Sequence, residues 1–278
     1  MAGMASEERW QAEREFFDHE EYVEGPIPAN TIERYMMCRK RFLGAEYRFW
    51  ILGDLRGKRV LEVGCGDGAN AVLLAMKGAD VVGIDISPRA VEIARKRAEL
   101  HGVADSMRFY ALPLEAYLEQ TRDRFDIVCG FAILHHLLPV LERVLADMKK
   151  LGHEQTSFLF AEPVSLSRWL RRIRLALPLK VHGTPDERPL DPEDLAVMRR
   201  NLPNMQVRLF GFLLRVWGRI VGGRYEDYPP VKKAVCDVLG RLDWMLLSLP
   251  GFRRLASSAV VYSGQSGKAP SSEPGQRV

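Results

Sequence analysis

The 278-residue sequence predicts an α/β fold: a doubly wound, mostly parallel seven-stranded sheet with a helical N-terminal extension and helical cap insertions. Three observations predict it. An apolar run at 60–63 ends in glycines spaced by single residues, Gly64, Gly66 and Gly68, and opens into a helical pattern through Ala69, Val72, Leu73 and Leu74. A second apolar run, 80–86, ends in Asp85, about 20 residues beyond Gly64, which is βαβ spacing. Further strand patterns at 107–110, 125–131, 157–161, 205–211 and 259–263 complete the seven, and strands alternating with helices make a parallel sheet with right-handed crossovers.

Taken in order, residues 1–58 read as a helical lid. Asn30 with Glu33 three residues on forms a capping pattern, and Ile32, Tyr35, Met36, Phe42, Leu43, Tyr47 and Trp50 follow at mixed helical spacing. Such helices either close over the carboxyl ends of the strands, with Tyr22 and Tyr35 facing inward, or pack on the sheet edge. The opening MAGMASEERWQAEREFF carries charge where a signal peptide needs an apolar stretch, and no run approaches eighteen apolar residues, so a cytoplasmic chain that does not span a membrane is expected. Cys38, Cys65, Cys129 and Cys236 have neither disulfide-framework nor zinc spacing, and no metal is implied.

The core occupies 59–163. Gly78 ends its first helix, Ser87 and Pro88 supply N-cap and N1 of the second, and Gly102 closes that helix; another helix is expected at about 139–150. The glycine turn demands close backbone approach by a ligand, and Asp85 at the end of the second strand can accept hydrogen bonds from ribose hydroxyls, which indicates a nucleoside. Gly64, Gly66 and Ala69 satisfy the looser dinucleotide fingerprint, so a nicotinamide-dependent oxidoreductase stays open on glycines alone. Glu62 and Asp67, however, place carboxylates where a pyrophosphate would carry like charge, and they favour a cationic ligand with an α-amino group and a sulfonium, S-adenosylmethionine.

The residues EVGCGDG resemble the E/D-x-G-x-G-x-G motif of class I S-adenosylmethionine-dependent methyltransferases, and Asp85, the strand FDIVCGFAILHHL and the strand SFLFAEP follow at family spacing. The resemblance implies a Rossmann-like fold and S-adenosyl-L-methionine as cofactor. It places Glu62, Gly64, Cys65, Gly66, Asp67 and Gly68 around the methionine moiety, Asp85 on the ribose, Ile86 on the adenine and Phe131 nearby. Where the family often has an acid after the third strand, this chain has Pro113, so Leu114 or Glu115 must substitute at the adenine. His135 and His136, after the fourth strand, are the candidate catalytic residues, with His135 preferred as a base; capping and packing roles for the pair remain open. The implied activity is methyl transfer to a small apolar or amphiphilic acceptor such as a lipid, quinone precursor or natural product. A non-catalytic S-adenosylmethionine-binding module is the remaining competitor.

Beyond the core, 164–204 reads as a basic helical cap, 205–263 completes the sheet around a helical insertion at 212–257, and 264–278 is a polar tail expected to be disordered. Between 164 and 257 seventeen Lys and Arg face nine Asp and Glu, a net of eight positive in a chain that is +4 overall. Arg168, Arg171, Arg172 and Arg174 interleave with Trp169, Leu170, Ile173, Leu175 and Leu177 as a basic amphipathic helix, and Asp191 with Pro192, Glu193 and Asp194 starts another that runs to about Asn201. A solvated basic face and peripheral contact with a membrane surface both fit; no nucleic-acid-binding module accompanies the charge. The aromatic and aliphatic residues Trp169, Leu170, Ile173, Trp217, Trp244 and Met245 are expected to line the acceptor pocket. Oligomeric state has no sequence signal.

Overall fold

Successive residues of a strand point to opposite sides, and here both sides are apolar. Leu61 and Val63 enter one core while Val60 enters another, as expected of a sheet buried on both faces. The computed structural model describes residues 6–19, 22–167 and 188–264. Its seven-stranded sheet comprises β1 (Arg59–Val63), β2 (Asp80–Asp85), β3 (Met107–Ala111), β4 (Phe125–Phe131), β5 (Gly152–Pro163), β6 (Gln206–Phe210) and β7 (Ser258–Ser263). The order is β3-β2-β1-β4-β5-β7-β6, parallel from β3 through β5, with β7 antiparallel to both β5 and β6. The predicted doubly wound, Rossmann-like sheet is therefore observed.

On one face α6 (Leu114–Gln120), α7 (Leu141–Lys150) and α8 (Pro192–Asn201) bury Tyr117, Leu145, Met148, Leu195 and Met198 against Leu61, Val63, Phe158 and Phe160. On the other α2 (Ala29–Met37), α3 (Gly44–Leu52), α4 (Ala69–Met76) and α5 (Pro88–Leu100) bury Tyr47, Phe49, Val72, Leu74 and Val91 against Val60, Val81, Cys129 and Leu159. The sequence punctuation works as expected at α5, where the Ser87 hydroxyl accepts from Ala90 N at 3.1 Å, Pro88 takes N1 and Gly102 follows at φ +64°. At α8, Asp191 and Asp194 form a reciprocal capping box, and Arg188 holds Asp194 through two bonds of 2.6 and 3.0 Å.

Three expectations change. The α2 N-cap is Pro28 with no side-chain cap, because the helix begins at Ala29 and draws Asn30 inside it; the Asn30 amide reaches Glu226 O instead. Tyr35 packs on Phe49 with ring centroids 5.0 Å apart, so α2 and α3 cover the sheet rather than the carboxyl ends of the strands. The insertion forms α9 (Leu213–Val221) and α10 (Pro230–Leu246) on the α2–α3 side. The buried Asp243 of α10 accepts the amides of Phe212, Leu213 and Leu214 at 3.0, 2.7 and 3.1 Å, fixing the start of α9 from another helix. Arg34 pairs with Glu226 and Lys40 with Asp237, tying the insertion to the N-terminal helices. Trp244 lies in this layer against Tyr47, Phe210 and the Arg208 guanidinium, and Met245 is 66% exposed. Neither they nor Trp217 reach the carboxyl-end cavity, so their expected part in an acceptor pocket is corrected. Trp169, Leu170, Ile173, the arginines at 168–174 and the tail from 265 lie outside the described residues.

Candidate functional site

A cavity of about 230 Å³ opens at the carboxyl ends of the parallel strands. Its floor is Gly64 and Gly66 with Asp85 and Ile86; one wall is Leu112, Pro113, Leu114 and Glu115, and another is Phe131, Ala132, Ile133, His136 and Leu137. The roof comes from α1 (Ser6–Asp18), which contributes Trp10, Glu13 and Phe17, and from Tyr22 beyond it. Trp10 and Phe17 stand seven residues apart, one face of a helix, a spacing that was visible in the sequence.

The roof is fastened at one end. The Ser87 hydroxyl donates to Asp18, and Arg89 donates to the Asp18 carbonyl at 3.1 Å. The buried Arg97 guanidinium then pins the following segment by donating to Val23 O and to Gly25 O, the latter at 3.0 Å, while His101 Nε2 accepts from Ile27 N at 2.8 Å. Burial, and secondarily the Arg97 charge, lowers the His101 pKa, which keeps this acceptor neutral.

The glycine turn is organised by hydrogen bonds to the end of β2 and within itself. Gly64 N and Cys65 N donate to Ile84 O at 2.8 and 3.0 Å, Gly66 N to Asp85 Oδ2 at 2.7 Å, Gly68 N to Cys65 O at 3.0 Å and Ala69 N to Asp67 Oδ1 at 3.2 Å. Gly64, Gly66 and Gly68 all have positive φ, and the two outer glycines are also packed: a Cβ on Gly64 would fall 2.5 Å from Ile133 and one on Gly68 2.6 Å from Ala94. A Cβ on Gly66 would meet nothing within 4 Å, so the cavity itself occupies that space. Asp85 uses Oδ1 for Ser87 N at 2.9 Å and still faces the cavity; burial pushes its carboxyl up against the pull of these amides.

The sequence argument from acidic charge needs correction. Asp67 is neutralised by Arg97 at 2.8 Å, and Glu62 is fully buried beneath the turn, where desolvation drives its pKa well up despite Arg48 nearby. What disfavours a pyrophosphate is the amide accounting above, since the N–H groups of Gly64, Cys65, Gly66, Gly68 and Ala69 already have acceptors. Of the residues expected at the cofactor, Gly64, Gly66, Asp85, Ile86, Leu114 and Phe131 line the cavity, whereas Glu62, Cys65, Asp67 and Gly68 support the turn from behind.

The two histidines separate. His135 is buried, its Nδ1 at 2.9 Å from Glu162 Oε2, and Glu162 Oε1 accepts from Ile133 N and Leu134 N at 3.0 and 2.9 Å. Glu162 therefore sets the whole loop after β4. The sequence reading passed over it, although a carboxylate directly after the apolar stretch 158–161 is the signal. His136 reaches the cavity wall, its ring 5.2 Å from Phe17 and 4.0 Å from His135, and burial lowers its pKa to about 4, helped by His135. The preference for His135 is thus reversed in geometry, and the pair is brought together. Ala132 between these loops sits at φ 58°, a left-handed strain of about 1 kcal/mol held by Ala132 N donating to Ala161 O at 2.8 Å.

Residues 54–188 match the family model of a methyltransferase domain. That stretch, just under half of the chain, is a methyltransferase domain of the class I S-adenosylmethionine-dependent type. Its donor core is 33% identical over 112 residues to a ubiquinone biosynthesis O-methyltransferase of Psychrobacter arcticus, covering 40% of this chain and 43% of that one. It is 35% identical over 111 residues to a magnesium-protoporphyrin O-methyltransferase of Rhodobacter capsulatus, covering 39% and 47%. The chain thus spans less than half the length of these curated relatives. A geranyl diphosphate C-methyltransferase of Streptomyces coelicolor A3(2) shares the fold over 95% of this chain and 99% of that one, with a TM-score of 0.56 at 11% identity. The cavity fits the cofactor of this domain type, S-adenosylmethionine: Gly66 leaves the approach to the turn open, the Asp85 carboxylate would meet a ribose, and Leu112 to Leu114 would form an apolar slot for an adenine. Among the described residues no cluster of His, Cys, Asp and Glu could hold a metal, and no helix is long and apolar enough to cross a membrane.

Proposed function

We propose that this methyltransferase transfers a methyl group from S-adenosylmethionine to a small, apolar or amphiphilic acceptor held beneath α1. The observation that carries the reading is that the donor turn and an aromatic roof share one cavity, with Gly66 and Asp85 on its floor and Trp10, Phe17 and Tyr22 above them. The sulfonium supplies an activated methyl group, so no further activation of the donor is needed. The chain's own residues align and enclose. Gly64 and Gly66 set the floor, Phe131 and Ile133 flank the reacting end, and α1 excludes water. The sulfur–methyl bond breaks as the oxygen–methyl bond forms and S-adenosylhomocysteine leaves. His136, neutral at working pH with its pKa about 4, accepts a hydrogen bond from the acceptor hydroxyl and passes the proton released to solvent, and Glu162 holds the loop that presents it. The two relatives that share a third of the core residues are O-methyltransferases, which supports an oxygen acceptor.

The test is incubation of the protein and methyl-labelled donor with a metabolite extract, followed by mass spectrometry of whatever gains label. Label on a small apolar or amphiphilic compound is expected. Tight binding of S-adenosylhomocysteine with no labelled product would make the chain a non-catalytic binding module, and binding of NADH in its place would make it an oxidoreductase.

A further inference from the structure

The inserted helices leave apolar surface facing outward. Of the thirteen large apolar side chains that the described residues expose, eight lie between Val216 and Phe252, so the exposure is local to the insertion. On α10 they form a line. Val231, Val238, Leu242, Met245 and, just past the helix, Leu249 recur at spacings of seven, four, three and four residues, which keeps them on one side of a helix. Val231 is 76% exposed and Met245 66%, while the opposite side of the helix buries Cys236, Gly240 and Asp243. On α9, Val216 and Ile220 are exposed one turn apart.

The charge around this line has one sign. At about 100° per residue, Lys232 falls on one flank of the α10 line and Arg241 on the other, both exposed, and elsewhere between 212 and 257 Arg219, Arg224 and Arg254 are exposed too. The acids of the insertion are turned to other uses: Glu226 pairs with Arg34, Asp237 with Lys40, and Asp243 caps α9, leaving Asp227 exposed.

We propose that the outer face of α9 and α10 docks on an anionic lipid surface. The aliphatic line of α10 enters the boundary between headgroups and acyl chains, and Lys232 and Arg241 meet lipid phosphates from either side. Two features favour lipid over protein. The line carries no Trp or Tyr, the side chains that most often anchor protein interfaces. A second copy of the chain paired two-fold about the middle of the line would set Arg241 beside its own symmetry copy, a like-charge contact. The inference stands apart from the methyl-transfer reading, since none of these residues touches the cavity.

The experiment is co-sedimentation of the full chain with vesicles of phosphatidylcholine alone or mixed with phosphatidylglycerol, at low and high salt. Binding is expected only with phosphatidylglycerol, weakening as salt shortens the electrostatic reach. The double substitution Val238→Asp and Met245→Asp should lower partition roughly tenfold or more, with the melting temperature and S-adenosylhomocysteine affinity unchanged; Val238→Leu with Met245→Leu should restore it. Lys232→Glu with Arg241→Glu should remove the salt-sensitive part. Retention of the wild-type chain in the supernatant at low salt would overturn the proposal. Undiminished vesicle binding by the Asp double variant would overturn it by placing the contact elsewhere, and a dimer in solution abolished by Met245→Asp, without lipid binding, would assign the face to a second copy.

Discussion

The loops around the cavity and the inserted helices α9 and α10 both use a buried carboxylate to collect backbone amides, and the outcomes differ. Glu162 gathers Ile133 N, Leu134 N and His135, and Asp85 gathers Gly66 N and Ser87 N, so two loops are held in shape around an empty space. Asp243 gathers three amides at the start of α9, yet the helices so joined present their apolar sides to solvent. Carboxylate-to-amide bonds fix a loop without filling the volume beside it; in the first region that volume is the cavity, and in the second the packing is left incomplete on the outside. Substitutions in the first region should therefore change binding, and those on the outer face of the second should not.

The largest effect is expected from Gly66→Val, since the new side chain enters the cavity from a residue at φ +50°. Calorimetry should detect almost no S-adenosylhomocysteine binding; retained tight binding would place the donor elsewhere. Gly64→Ala makes the contrast, because its Cβ meets Ile133 and should cost about 1–3 kcal/mol of stability by overpacking. Next, Glu162→Ala strands two amides and His135 in a buried loop, and a loss of about 3 kcal/mol or more is expected in denaturant unfolding. Glu162→Gln, which keeps an acceptor for the amides, should lose distinctly less, and equal losses would mean that the charge rather than the loop geometry matters.

Asp85→Ala should weaken S-adenosylhomocysteine by about 1–3 kcal/mol through loss of a charge-assisted acceptor. Unchanged affinity in the folded variant would remove Asp85 from the ribose. A smaller effect concerns pH. The folded-state pKa of His136 lies near 4, below the unfolded value, so between about 6.5 and 4 the unfolded chain takes up the proton first and stability falls as pH falls. His136→Phe should flatten that part of the stability profile relative to wild type; an unaltered slope would mean that His136 is not the buried group responsible. The smallest effect is expected from Met245→Asp, which should leave donor affinity within error and thereby mark the boundary between the two regions.

Much of the fold was legible because it is written locally. The apolar runs at 60–63 and 80–86, the Ser87-Pro88 and Asp191-Pro192 starts, and glycines at Gly78 and Gly102 act over a few residues and need no distant partner. The cavity floor was legible for the same reason: Gly64, Gly66 and Asp85 belong to one βαβ unit whose closure follows from chain geometry. What depended on distant contacts was not. The adjacent histidines were ranked in the wrong order for reaching the cavity, because Glu162, twenty-seven residues from His135, turns that one inward and leaves His136 at the wall. The acid at Asp67 looked like a determinant of ligand charge until Arg97, thirty residues on in α5, neutralised it. Tyr35 and Trp244 have the composition of a ligand wall, yet which side of a sheet an aromatic residue covers depends on how the helices cross it. Periodicity specifies that a face is buried; the identity of the surface that buries it is decided only when the whole chain has packed.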